Sequence, residues 1–239
     1  MHIIIPMAGK GSRFSNAGYK SPKPLIEVNG ITLAEHAISS LGIDGTYVFI
    51  TRDFDNVEDN EKLTQIFEKN CKSFIEIRVN DEHYGAAHSA LFAEHYITGM
   101  EELIITNCDQ ILDWQPKHFL DWIERHEPDG SVVLHQSSNP KNSFAIIGND
   151  GNIVAIAEKQ PISDDALVGV HYWKHAYMFF ESARAALNDY KNQGYPECYV
   201  SITYNYLIKD GAKITGYYLL NDEYISLGTP KEVEDYCAS

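Results

Sequence analysis

Two kinds of patterning alternate along the chain. Short runs of Ile, Val, Leu and Phe with almost no polar interruption fall at residues 2–6, 46–51, 74–79, 103–107 and 131–136. Near-continuous apolar runs rich in β-branched residues read as strands buried on both faces, as in a parallel sheet. Between them, apolar residues recur at helical spacing over 32–41, 60–69, 85–97 and 116–126. The first of these opens with Thr32-Leu33-Ala34-Glu35, a capping box in which the threonine hydroxyl accepts from an orphan amide and the glutamate reaches back. Strand–helix alternation over about the first 130 residues predicts βαβ units.

From Ser143 the texture changes. Strands at 143–147, 152–158 and 168–173 are joined by turns such as Asn149-Asp150-Gly151. Helices at 176–192 and 200–209 and a strand at 213–220 follow. No repeat, low-complexity tract or Pro/Ser linker separates the two parts. The expected fold is therefore α/β: a Rossmann-like mixed, mostly parallel sheet flanked by helices. A smaller β/α extension continues the same sheet, so residues 1–239 form one domain, with halves at 1–140 and 141–239.

Composition narrows the class. The 239 residues are 44% hydrophobic and 22% charged, ordinary for a globular protein and unlike collagen, disorder or a disulfide-stapled miniprotein. A net charge of −15 argues against nucleic acid or anionic membrane as a general partner. No run reaches the ~18 apolar residues of a membrane span. The N-terminus lacks a basic leader, so a cytoplasmic location is expected. Cys71, Cys108, Cys198 and Cys237 are too widely spaced for a zinc site or a disulfide framework and read as reduced thiols.

Charge is unevenly placed. Residues 1–30 hold Lys10, Arg13, Lys20 and Lys23 against Glu27 alone, a balance of +3 that leaves −18 elsewhere. The first strand runs directly into Met7-Ala8-Gly9-Lys10-Gly11-Ser12-Arg13-Phe14 and then Lys20-Ser21-Pro22-Lys23-Pro24-Leu25. Two closely spaced glycines let the backbone approach a bulky anion and aim amides at it. A basic island after the first strand of an α/β sheet is where phosphates dock. The prolines around Lys23 fix φ on both sides and present its ammonium from a stiff segment. Phe14 stands where a dinucleotide fingerprint needs its third glycine, and no GxxxxGK[ST] sequence is present, so neither of those phosphate loops applies.

Gly-x-Gly-x-Arg followed by Pro-Lys-Pro-Leu resembles the signature of the sugar-phosphate nucleotidyltransferases, the nucleotide-sugar pyrophosphorylases. The usual Leu-Ala-Ala-Gly opening is here Pro6-Met7-Ala8-Gly9. The resemblance implies nucleotide binding by Ala8, Gly9, Gly11, Ser12, Arg13 and Lys23, and base contact by Gly85, Ala86 and Ala87. Asp109, ending the strand Leu103-Ile104-Ile105-Thr106, matches the family's magnesium ligand. Glu158 and Lys159 resemble its Glu-Lys-Pro segment, with Gln160 inserted before Pro161; there the lysine binds the acceptor phosphate and the glutamate the sugar. Gly169 and Glu197 match further acceptor contacts. Tyr224-Ile225-Ser226-Leu227-Gly228-Thr229-Pro230 resembles a closing Trp-x-Asp-x-Gly-Thr-Pro, but Ser226 replaces the acid that is commonly the second metal ligand. Either magnesium is held by Asp109, phosphates and water, or nearby Asp222 or Glu223 substitutes, or activity is altered.

What this implies is a Mg²⁺-dependent enzyme, its 1–140 half binding a nucleoside triphosphate and its 141–239 half an acceptor phosphate. An acceptor phosphate oxygen would attack the α-phosphorus and expel pyrophosphate, with Arg13, Lys23 and Lys159 as the catalytic cations. The nucleophile is already an anion, so no general base is needed, and the task is to neutralise and align two polyanions. A sugar 1-phosphate ranks first as acceptor. A cytidylyltransferase acting on an alcohol or amine phosphate ranks second, since the chain's 15 Tyr and 3 Trp could cage a cationic head group. A glycosyltransferase of related fold would need Asp-x-Asp, of which Asn107-Cys108-Asp109 offers only the last acid. A non-catalytic nucleotide-sugar-binding protein is the rival that Ser226 favours. The family context is nucleotide-sugar supply, as for capsule or other cell-surface polysaccharide. Nucleobase and oligomeric state are not legible.

Overall fold

The computed structural model describes residues 1–80, 84–220 and 222–238. Its strands are β1 (His2–Pro6), β2 (Glu27–Val28), β3 (Ile31–Thr32), β4 (Thr46–Thr51), β5 (Phe74–Arg78), β6 (Leu103–Thr106), β7 (Gln110–Leu112), β8 (Gly130–Gln136), β9 (Ser143–Ile147), β10 (Ile153–Glu158), β11 (Asp165–Trp173), β12 (Ile214–Tyr218) and β13 (Tyr224–Ser226). The helices are α1 (Ser12–Asn16), α2 (Leu33–Leu41), α3 (Val57–Asn70), α4 (Ala86–Leu91), α5 (Pro116–His126), α6 (Ala176–Asp189), α7 (Val200–Lys209) and α8 (Pro230–Cys237).

The apolar runs become the parallel block β5-β4-β1-β6. Side chains alternate across a strand, so a continuous apolar strand must feed two cores. In β1, Ile4 enters the core under α4, α6 and α7, while Ile3 and Ile5 enter the one under α2, α3 and α5. Next to β6 lies β11, antiparallel to it, which carries both the β9-β10 hairpin and the pair β8-β12. The second half thus extends the first sheet into one mixed, nine-stranded sheet flanked by helices, as the patterning implies.

Several boundaries differ from the sequence reading, for local reasons. α2 has its capping box at Thr32 and Glu35. α3 begins three residues early because the Asn56 side chain accepts from the Glu58 amide. The single helix expected over 85–97 is α4 followed by a 3₁₀ turn at Glu94–Tyr96. The two-stranded pairs β2-β3 and β7-β13 were not anticipated.

A third, small core holds the site together. Phe14 of α1, Ile26 and Val28, Leu33 of α2, and Leu227 and Val233 around α8 pack as one cluster. It ties the first loop to the chain's closing segment, which lie more than 200 positions apart. Among the described residues no helix is long and apolar enough to cross a membrane.

Candidate active site

The first loop and the Pro-Lys-Pro segment are clamped against each other. Gly11 caps α1 in the left-handed region at φ 63°, and a β-carbon on it would lie 3.0 Å from Lys23 Cβ. Glycine satisfies both conditions. Lys23 then opens a 3₁₀ turn, Lys23–Leu25, that buries Pro24 and Leu25. Its ammonium donates to Asp109 Oδ2 at the carboxyl end of β6, with 20% and 22% of the two side chains exposed. Burial alone would lower the Lys23 pKa, but the Asp109 charge and hydrogen bond outweigh it and hold it above the ordinary lysine value. The same burial pushes the neighbouring Cys108 thiol up to about 11, so it is not a nucleophile near neutral pH.

Two adjoining clefts open along the first loop, and Lys23 lines the smaller of them. The larger, about 600 Å³, is lined by Ala8, Gly9, Lys10, Gly85, Ala86 and Glu197, with Arg52, Asn80 and Tyr84 among the rest. The smaller, about 310 Å³, is lined by Gly9, Gly11, Lys20 and Lys23, and again by Lys10 and Arg52. Gly9 sits where they meet. Of the sixteen glycines it alone has neither a positive φ nor any atom within 4 Å of where a β-carbon would be. The fold itself would accept a side chain there.

Asp109 is met from the other side by the closing segment. β13 pairs antiparallel with β7, placing Ser226 opposite Gln110, and the Leu227 amide donates to the Asp109 carbonyl at 2.8 Å. A β-carbon on Gly228 would lie 3.0 Å from Asp109 Oδ2 and 3.7 Å from Glu232 Oε2. That glutamate oxygen is buried and has no hydrogen-bond partner. Tyr224 lies in the same spot, its phenol pushed up to about 12 by burial and then by the Asp109 charge. Glu223, which the sequence offers with Asp222 as a substitute acid, lies just before β13. The Glu223 carbonyl accepts from the Asp113 amide, and its carboxylate accepts from the Leu220 amide at 2.7 Å. Three residues of strand, about 10 Å, separate Glu223 from Ser226.

A second charged group surrounds Tyr199. Lys159 adopts φ 54°, a left-handed conformation costly for a lysine, and donates from Nζ to the Tyr199 hydroxyl. Glu197 hydrogen-bonds the same tyrosine, and the Arg13 guanidinium acts electrostatically on both Tyr199 and Lys23. Arg13 and Ser12 are exposed at the start of α1. Glu158 points inward, accepting from Ser143 and from Ser201 at 2.7 Å, and burial raises its pKa against those bonds.

Two of the expected contacts are placed differently. Ala87 is wholly buried and its amide donates to the Cys198 carbonyl, so it does not present a free amide to the cleft as Gly85 and Ala86 can. Gly169 has its carbonyl and amide engaged by the Gln110 side chain at 3.0 and 3.2 Å, and the Asn107 side chain lies over it. Its smallness serves that close crossing.

Residues 2–210 match the nucleotidyl transferase family. The chain belongs to that family. As a nucleotidyl transferase, it is 28% identical over 160 residues to the bifunctional protein GlmU of Methanococcus maripaludis, covering 66% of this chain and 36% of that one. GlmU of Streptococcus thermophilus is 23% identical over 242 residues, covering 97% and 49%. The chain thus spans between a third and a half of these relatives. Among solved structures, the nucleoside-diphosphate-sugar pyrophosphorylase of Vibrio cholerae superposes with a TM-score of 0.83 at 28% identity, covering 99% of this chain and 100% of that one. The inositol-1-phosphate CTP transferase of T. maritima shares the fold, with a TM-score of 0.74 at 15% identity over 99% and 94%.

Sequence reasoning missed Arg52, Tyr199 and Glu232 in this nucleotidyl transferase. Arg52 carried a signal, a lone cation directly after the buried strand β4. Tyr199 and Glu232 reach the site only through tertiary packing.

Proposed function

We propose that the protein joins a nucleoside triphosphate to a sugar 1-phosphate, releasing pyrophosphate and a nucleoside-diphosphate sugar. The observation that carries this reading is the direct Lys23–Asp109 pair, which joins the cationic loop to the strand-end carboxylate beside two clefts that meet over Gly9. The nucleobase and ribose are assigned to the larger cleft, against Ala8, Gly85 and Ala86. The triphosphate follows the loop past Gly9, Gly11 and Ser12 toward Lys23 and Arg13. The acceptor sits near Tyr199, with Lys159 on its phosphate and Glu197 toward the sugar, while the buried Glu158 braces the segment from within through Ser143 and Ser201.

The acceptor phosphate oxygen attacks the α-phosphorus, a new P–O bond forms, and the bond to the β-phosphate oxygen breaks with its electrons leaving on pyrophosphate. Arg13 and Lys23 offset the charge that builds on the α- and β-phosphates, and Lys159 holds the attacking group in line. Tyr199 fixes Lys159, and the left-handed backbone at Lys159 aims it.

A Mg²⁺ ion suits the donors present. Asp109 is a hard carboxylate ligand, and the partnerless Glu232 oxygen marks a place short of positive charge. Among the described residues no cluster of three or more His, Cys, Asp or Glu side chains could hold a metal, and Asp109 would hold the ion together with substrate phosphates and water. When bound, the ion supplies charge neutralisation to the triphosphate. The product would feed glycosyl transfer, as in capsule or cell-surface polysaccharide assembly, and phosphorylated substrates of this kind place the enzyme in the cytoplasm. A net charge of −15 leaves nucleic acid and anionic membrane as poor partners.

The test is pyrophosphate release with Mg²⁺ from a matrix of CTP, dTTP, UTP and GTP against sugar 1-phosphates and alcohol phosphates. One productive pair among the sugar 1-phosphates supports the reading. Product formed only with an alcohol or amine phosphate overturns the acceptor assignment.

A further inference from the structure

We infer that Glu232 supplies the second carboxylate of the divalent-cation site, replacing the acid that Ser226 lacks. This rests on the Mg²⁺-dependent reading above. Two helices in the chain begin with the same Thr-x-x-Glu sequence, and they are built differently. At α2 the box is closed: Thr32 Oγ1 accepts from the Glu35 amide at 3.2 Å, and Glu35 Oε2 accepts in return from the Thr32 amide at 3.1 Å. At α8 it is half open. Thr229 Oγ1 accepts from the Glu232 amide at 3.3 Å, but Glu232 Oε2 has no partner although it is buried.

A buried carboxylate oxygen without a donor is costly, and a return bond to the Thr229 amide is the partner this sequence normally provides. The side chain instead faces Asp109. Both Oε2 of Glu232 and Oδ2 of Asp109 lie within 4 Å of one point above Gly228, and Tyr224 experiences both charges. Two carboxylates converging on one partly buried spot repel each other unless a cation sits between or beside them. Lys23 serves Asp109, while Glu232 has no cation of its own. A serine at position 226 and a bare glycine at 228 leave room for the longer glutamate to reach in from the helix.

The experiment titrates the full chain with Mn²⁺ alone, reading the free ion by electron paramagnetic resonance, so that neither nucleobase nor turnover enters. Glu232→Gln keeps the backbone cap and the side-chain shape while removing the charge. It should weaken Mn²⁺ binding about tenfold or more, as should Asp109→Asn, because carboxylate count sets affinity at such sites. Asp222→Asn and Glu223→Gln should bind as the wild type does. Adding Ser226→Asp to Glu232→Gln should restore affinity, which a merely structural glutamate would not permit. Loss in Asp109→Asn with wild-type binding in Glu232→Gln overturns the role of Glu232 and leaves the metal reading standing. Wild-type binding in both variants overturns both.

Discussion

Gly9 and Gly11, two positions apart, should respond oppositely to alanine. At Gly9 there is open space and ordinary backbone, so Gly9→Ala should change stability by less than about 0.5 kcal/mol. Its methyl would project into the clefts, so triphosphate affinity should fall, as calorimetric titration would show. At Gly11 the left-handed backbone and the contact with Lys23 make Gly11→Ala destabilising by about 1–2 kcal/mol, measurable by urea denaturation. Lys23→Ala should lower kcat about 10²–10³-fold with an unchanged far-ultraviolet circular dichroism spectrum. His171 is a different residue-scale case. It stacks on Trp173 and Tyr204, and burial pushes its pKa down to about 3. The folded state therefore holds it neutral, while the unfolded chain protonates it below about 6.5. Its contribution is present above pH 6.5 and is lost as pH falls toward 3, at about 1.4 kcal/mol per pH unit. His171→Phe should flatten the fall in melting temperature between pH 6.5 and 4; an unchanged slope would place the acid sensitivity elsewhere.

Among the elements, α8 and β13 carry consequences out of proportion to their length. Leu227 is wholly buried in the small third core, and its amide bonds the Asp109 carbonyl. Leu227→Ala should cost about 2–5 kcal/mol in chemical denaturation. It should also lower kcat at temperatures where the protein remains folded, because Asp109 loses its rear support. These elements were the hardest to foresee. β7 and β13 have three residues each and no alternation long enough to register, and they exist because they pair with each other. The long runs of β1, β4 and β6 were legible because burial on both faces leaves an unbroken apolar signature. The helix expected over 85–97 shows the limit of periodicity. Ala87, Ala90, Ala93 and Ile97 do line the core, but Phe92, Ala93 and Tyr96 take tighter i to i−3 bonds, which the same apolar spacing permits.

In the whole molecule, one mixed sheet brings a basic N-terminal loop, a strand-end carboxylate and a lysine from the second half into one neighbourhood. The loop and Asp109 could be read from sequence because glycine spacing, prolines and a lone acid after an apolar strand are local facts. Tyr199 and Glu232 could not: the docking of α7 beside β10 sets what Tyr199 faces, and the register of β13 with the docking of α8 sets what Glu232 faces. Glu223, nearer to Ser226 in sequence, spends one carboxylate oxygen on the Leu220 amide. The proposed reaction is transfer of a nucleotidyl group between two phosphates held across this junction. Its most direct measurement is ³¹P NMR of the purified protein with Mg²⁺, a sugar 1-phosphate and each triphosphate in turn. The expected result is paired appearance of pyrophosphate and a nucleoside-diphosphate sugar for at least one triphosphate, abolished by Asp109→Asn. Triphosphates that bind with wild-type protein yet give no pyrophosphate with any phosphorylated acceptor would contradict it.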